Sequence, residues 1–282
     1  MAHSITGIDH VLLAVRDLAG AAQVFDRLGF VASPRGGHAE WGTANHCLMF
    51  GHGYVEMIAP VGEGFAARRV GGFIEAQGEG LMAAGLTITD AEAAFASLRR
   101  AGIAAEPPSA LSRRLEVAEG EVTQRFSVVA LPEGTTPGLS SFLGQHLTPE
   151  LMRRPEWLAH PNGATGIVSL TVVVDHPIEA MPAYDRLFGA AACTPTDDMV
   201  TVHTGSGLIY LVTPDGFDHL HPDIDIDPPE APRLAALTIA VADLDRAAAV
   251  LKANGVRSRR KTDHIAIAPE DSLGVGIEFV AG

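Results

Sequence analysis

Four times along the chain an apolar, β-prone run ends at an Asp, and a short helical pattern closed by Gly follows. The first copy is Gly7-Ile-Asp-His-Val-Leu-Leu-Ala-Val-Arg-Asp17, leading to Leu18, Ala21, Ala22, Phe25 and Leu28 at helical spacing and then Gly29. The others run from Leu81 to Asp90 and on to Gly102, from Ile167 to Asp175 and Gly189, and from Leu234 to Asp243 and Gly255. After each helix come short β-rich runs broken by Gly, Pro and Asp, such as Ala44–Phe50 and Gly53–Pro60 in the first copy. Each copy reads β-α-β-β-β, so the chain is expected to be an α+β protein of four tandem modules. Modules 7–60 and 79–146 make a first half, residues 1–146. Modules 165–214 and 233–282 make a second, residues 165–282, after a Pro-punctuated linker at 147–164.

Composition narrows the partners. Hydrophobic residues are 47% and charged residues 19% of 282, as in a globular protein. The formal charge of -14 repels phosphate backbones and anionic lipid surfaces, so neither nucleic acid nor membrane is expected as a partner, and a small molecule is. No apolar run approaches the roughly 20 residues of a membrane helix, and the N-terminus lacks a signal core. With Cys47 and Cys193 far apart and read as reduced, buried thiols, a cytoplasmic protein is expected. The acidic connector 218–232 carries Asp223-x-Asp225-x-Asp227. A calcium loop needs Gly at its sixth place and Glu at its twelfth, where Pro228 and Leu234 stand, so the segment reads as a solvated connector.

Two polar intruders sit on apolar strands. In the first, Ile8, His10, Leu12 and Ala14 share one face, with Asp9, Val11, Leu13 and Val15 on the other. In the module's last strand Glu56 lies on a face with Tyr54 and Ile58. A buried carboxylate needs compensation, which a divalent cation or a direct His–Glu hydrogen bond would provide. The repeat acts as an internal control. Aligned by strand ends, His10 stands against Ala83, Ser169 and Ala236, and Glu56 against Gln145, Tyr210 and Glu278. The scaffold itself does not require His at that place.

The four modules, Gly7–Asp17, Gly42-Thr-Ala-Asn45, Tyr54-Val-Glu-Met-Ile58, and Gln145–Leu151 followed by His160-Pro-Asn-Gly163 together resemble the vicinal oxygen chelate superfamily, in its glyoxalase-like branch. The resemblance implies paired modules curled into two open, barrel-like halves with helices outside. It implies one divalent metal (Zn, Fe, Mn or Ni) in the first half, on His10 and Glu56. Its partner-module histidine is replaced by Ala83, which leaves His146, turned inward by a bulge at Gly144, or Gln145 as third ligand. The implied activity is a metal-dependent lyase or isomerase acting on a small oxygen-chelating carbonyl or enediolate-forming substrate. Glu56, or His38 from the Gly-rich loop Arg35–Glu40, would shuttle the proton. Two alternatives stand beside it: a ring-cleaving dioxygenase with iron on His10, His146 and Glu56, and a bleomycin-resistance type of ligand-sequestering protein. Trp41, His46, Arg125 and Phe142 are candidate substrate contacts, with Arg125 equally able to pair a neighbouring acid. The second half, with Ser169, Tyr210 and Ala236 at the ligand places, is expected to be degenerate, and a homodimer is a possible assembly.

Overall fold

The repeated Asp explains itself as a helix cap. Asp17 accepts from the amides of Ala19 and Gly20, Asp90 from Ala93, and Asp243 from Asp245 and Arg246. These carboxylates satisfy amides that a first helical turn leaves unpaired. The third copy departs, since its helix starts on Pro177 with His176 ahead of it and no side-chain cap. Gly29, Gly102 and Gly255 end their helices at φ of 85°, 77° and 68°, the left-handed region that glycine enters without penalty.

The computed structural model describes residues 2–225 and 230–282; Asp227 and Pro228 of the connector lie outside them. The first half contains β1 (Ile5–Ala14), α1 (Leu18–Arg27), β2 (Gly36–His38), β3 (Thr43–Met49), β4 (Tyr54–Pro60), α2 (Phe65–Gln77), β5 (Gly80–Ile88), α3 (Ala91–Arg100), β6 (Ser109–Val117), β7 (Gly120–Ala130) and β8 (Ser141–His146). After α4 (Pro155–Leu158) the second half follows with β9 (Ala164–Val173), α5 (Pro177–Phe188), β10 (Cys193–Pro195), β11 (Met199–His203), β12 (Leu208–Val212) and α6 (Pro214–Leu220). It ends with β13 (Arg233–Val241), α7 (Leu244–Ala253), β14 (Ser258–Arg260), β15 (His264–Ile267) and β16 (Gly276–Ala281). Sequence periodicity does not assign α2 or α6.

Each half is an eight-stranded sheet built as two modules back to back. The modules' opening strands run antiparallel at the centre, β1 on β5 and β9 on β13, each flanked in parallel by its own module's last strand. The second sheet is open, with three-residue strands β10 and β14 at its edges. The first is not. There β2 pairs with β6, Gly36 opposite Leu115 and Gly37 opposite Arg114, and the ring closes. Nine- and eleven-residue strands β6 and β7 carry the sheet far enough round to meet β2.

One apolar core crosses both halves: Ile5, Leu13, Phe25 and Leu86 share a cluster with Leu170, Leu237 and Phe279. The linker is packed too. Met152 and Trp157 are buried, and the His160 ring accepts from the Val31 amide (2.9 Å) and donates to the Met49 carbonyl (2.8 Å). The acidic connector, expected to be solvated, pairs with basic neighbours: Asp223 with Lys261 (3.3 Å) and His264 (3.2 Å), Asp225 with Arg259 (3.0 Å). Among the described residues no helix is long and apolar enough to cross a membrane.

Candidate active site

Closing the first sheet creates a cavity of about 170 Å³ whose lining is mostly apolar. Helix α2 covers part of it with Phe65, Ala66, Arg69 and Val70. Strand alternation delivers the rest. From β4, Tyr54, Glu56 and Ile58 face in; from β3, Asn45 and Cys47; from β6, Leu111 and Arg113; from β8, Phe142, Gly144 and His146.

His10 lies at the centre. Its ring stacks on Tyr54 (centroids 4.4 Å apart, planes at 9°), meets the edge of Phe142 at 5.4 Å, and rests over Gly85. Its Nδ1 bonds Asp9 Oδ2 at 2.7 Å and its Nε2 stands 3.5 Å from Glu56 Oε2. Asp9 was expected on the opposite face. The β1–β5 ladder shifts between Ile8 and His10, and this bulge brings Asp9 to the cavity wall beside His10. There its other oxygen accepts from His146 Nε2 (2.8 Å) and Thr87 Oγ1 (3.3 Å).

Burial alone would push the Asp9 carboxyl up, but hydrogen bonds from His10 and His146 and the charges of both rings hold it far below the usual carboxylate range. For His10 burial favours the neutral ring, and the Asp9 hydrogen bond, with the Asp9 and Glu56 charges, reverses this and raises its pKa above 6.5. His38 moves the other way: burial, aided by Arg113 and His10, outweighs the attraction of Glu56 and lowers it.

A second chain of contacts runs from Glu56. The Asn45 amide donates to Glu56 Oε1, and Asn45 Oδ1 accepts from Arg113 Nε at 2.8 Å. Arg113 also donates to Gln124 Oε1 (3.0 Å) and Ser33 Oγ (3.1 Å), and Gln124 is anchored on the Leu151 carbonyl (2.7 Å).

The structure revises several expected positions. His38 is not in a loop; it ends β2, buried, with Nδ1 3.1 Å from Thr43 Oγ1, and it lines the cavity with Trp41 and Phe142. His46 points out of the barrel and bonds the Ser33 carbonyl (2.8 Å), because its neighbours Asn45 and Cys47 take the inward places. Arg125 is exposed on the outer face of β7, one residue from inward Gln124. Gln145 also faces out, binding the Ala91 amide and the Thr89 carbonyl, each at 3.0 Å. His146 needs no bulge: β7 and β8 pair without a shift, and alternation with Phe142 and Gly144 turns it inward. Burial pushes the Cys47 thiol up to about 12, so it is no nucleophile at neutral pH.

Arg113 is not among the residues expected from the sequence, yet Leu111-Ser-Arg-Arg-Leu115 puts it between two inward leucines, the same signal that marks Glu56. Asp9 had no such signal, since nothing local announces a bulge.

The ladder also decides which residues are equivalent. Leu12 pairs with Glu56 on one side and Ala83 on the other; Gly85 pairs with Phe142 and with His10. The pseudo-twofold therefore relates His10 to Ala83 and Glu56 to Phe142, not to Gln145. Neither Ala83 nor Phe142 can ligate a metal. His146 Nε2 is engaged by Asp9 while its Nδ1 is buried without a partner, and among the described residues no three His, Cys, Asp or Glu side chains group as metal ligands. The donors present do not fit the three-ligand centre that the resemblance implies.

In the second half the corresponding places hold Ser169, Tyr210, Ala236 and Glu278. Glu278 is bonded by His221 Nδ1 (2.9 Å), whose Nε2 lies 2.8 Å from Thr171 Oγ1. Phe217 of α6 and Ile224 pack on Val173, Val212 and Ala236. Buried His221, with Phe217 and Ile224, thus fills this half from within.

These features define a glyoxalase-like protein. The model of the glyoxalase-like domain matches residues 8–188, and the chain belongs to that family, within the vicinal oxygen chelate superfamily. No curated protein sequence matches it. Among solved structures, a hypothetical protein from Staphylococcus aureus is similar at 11% identity and TM-score 0.70, over 98% of this chain and 99% of that one. A mutant 4-hydroxymandelate synthase from Streptomyces coelicolor is similar at 15% identity and TM-score 0.61, over 99% and 93%. A xylose isomerase-like TIM barrel/4-hydroxyphenylpyruvate dioxygenase fusion protein is similar at 17% and 0.58, over 100% of this chain and 50% of that one. At such identities the likeness is one of fold.

Proposed function

We propose that the first barrel is the active half of a small-molecule enzyme that moves a proton on the carbon beside a carbonyl. The carrying observation is the pair of His10 Nε2 and Glu56 Oε2, 3.5 Å apart in an apolar cavity, with His10 fixed from behind by Asp9. Glu56, one oxygen held by Asn45, takes the proton from carbon, the electron pair moves to the carbonyl oxygen, and the His10–Glu56 pair returns a proton. Asp9 keeps the His10 ring in one tautomer and orientation. The cavity, about 170 Å³, is near the roughly 150 Å³ that accommodates benzene, so the substrate is compact, about one substituted ring in bulk.

Deuterium uptake at the α-carbon of a panel of small aryl ketones in D₂O, followed by NMR, tests this. The wild type is expected to catalyse uptake, and His10→Gln to slow it about 100-fold or more. Ketones that bind without exchanging would point instead to a protein that only sequesters its ligand.

The metal-dependent lyase or isomerase has one observation in its favour: 3.5 Å is a separation at which an imidazole nitrogen and a carboxylate oxygen can share one ion, and Asp9 behind His10 is a usual outer-shell partner. Stoichiometric Zn, Fe, Mn or Ni in the purified protein, lost in His10→Ala, would select that reading.

A further inference from the structure

Arg113 is 2% exposed, and its three hydrogen bonds go to neutral acceptors, Asn45, Gln124 and Ser33. Among the described residues Arg113 takes part in no ion pair within 4 Å. A buried guanidinium without an anionic contact is costly, so its persistence asks for a reason. The seat is built for it. A methyl group at Gly36 would overlap Arg113 Nε and come within 2.6 Å of Asn45 Oδ1, so only Gly leaves room. Gln124, the far wall of the seat, is itself tied to the linker at Leu151. The nearest route to negative charge is through Asn45, whose amide links Arg113 on one side to Glu56 on the other. Arg113 also lines the cavity, and three bonds leave one N–H on each terminal nitrogen to offer a ligand.

We infer that Arg113 is the resident cation of this barrel: it occupies the role a divalent ion would play, orienting Glu56 through Asn45 and receiving the ligand's oxygen on its free N–H groups. The inference rests on the reading of the first barrel as a small-molecule site. With two carboxylates, Asp9 and Glu56, already on the cavity wall, a third would be repelled, so the part of the ligand that reaches Arg113 is an uncharged oxygen acceptor, a ketone or enol rather than a carboxylate. A planar guanidinium suits an sp² oxygen better than a lysine ammonium on a flexible stem.

Acetophenone and α-methylstyrene have nearly one shape and differ in the oxygen acceptor. Their binding to the wild type, Arg113→Lys and Arg113→Ala is measured by ligand-observed NMR, with metal content determined on the same samples after incubation with zinc or ferrous ion and gel filtration. The wild type should prefer the ketone by roughly 10- to 100-fold, the range for one hydrogen bond to a charged group. The preference should vanish in Arg113→Ala, return with millimolar guanidinium but not ammonium, and stay weak in Arg113→Lys. Metal should remain well below one equivalent. Equal binding of the two probes by the wild type overturns the inference and does not depend on any variant folding. So does one equivalent of metal that His10→Ala abolishes. Failure of both probes to bind sinks the small-molecule reading together with it. A ketone preference without deuterium exchange sinks only the proposed reaction and leaves Arg113 as the anchor.

Discussion

Gly85→Ala tests whether the His10 ring is clamped as the geometry requires. Alanine Cβ at that site would overlap His10 Cε1 and lie 2.6 Å from Nδ1 and 3.0 Å from Nε2. The ring cannot retreat, because Tyr54 stacks on it at 4.4 Å and Phe142 closes its edge. Two responses are open. Strain spread through the wall costs about 1–3 kcal/mol, as overpacking does. If the ring swings away, the Asp9 hydrogen bond breaks, at about 1.5–3 kcal/mol for a bond to a charged group. These are alternatives and do not add. Gly144 is the control: it also faces the cavity, from β8, but nothing lies within 4 Å of its Cβ direction and its φ is outside the left-handed region. Gly144→Ala should stabilise by about 0.4–1 kcal/mol, through the unfolded chain. Gly85→Ala receives the same unfolded-chain gain, so urea unfolding at pH 7, compared at equal slopes, should separate the two variants by the clamp cost alone, about 1–3 kcal/mol. If Gly85→Ala is as stable as Gly144→Ala, the clamp is wrong and the site built around it must be redrawn.

Replacing His160 by Phe leaves the Val31 amide and the Met49 carbonyl unpaired and should cost about 2–4 kcal/mol at pH 7.5 by urea unfolding. Burial lowers the His160 pKa below 6.5, so the unfolded chain binds the proton more readily. Its contribution is full above pH 6.5 and declines as pH falls through that value, and the gap between wild type and variant should narrow by pH 5.5. Asp271 ties the halves, accepting from Arg27 (3.2 Å) and from the Arg257 side chain and amide (both 3.0 Å). Burial would raise its pKa, but the Arg257 hydrogen bonds and charge bring it below 3.8. After solvent screening Asp271→Asn should cost about 1 kcal/mol near neutral pH. That difference is present above pH 3.8 and should close as pH drops below it, which unfolding curves at pH 7 and pH 3 would show. A gap that widens in acid would contradict either assignment.

Alternation along a strand and the caps of a helix are local, and the amino-acid order carries them without help. The four-module plan, the Asp caps, and the inward pair of His10 and Glu56 all follow from periods of two and of 3.6 residues. Glu56 and Arg113 carry the same local signal, a charge on an otherwise apolar strand face.

Ladder register and ring closure are not local. Counting from strand ends puts Gln145 opposite Glu56, whereas the β5–β8 ladder puts Phe142 there. One extra residue in β1 moves Asp9 from the outer face to the back of His10. Pairing of β2 with β6, more than seventy residues apart, seats Arg113 against Asn45 and encloses the cavity. Residue order thus settled the repeat, the caps and the faces, because each depends on neighbours within a turn or two. Which side chains those faces bring together was decided by strand pairing, which depends on contacts across the whole ring.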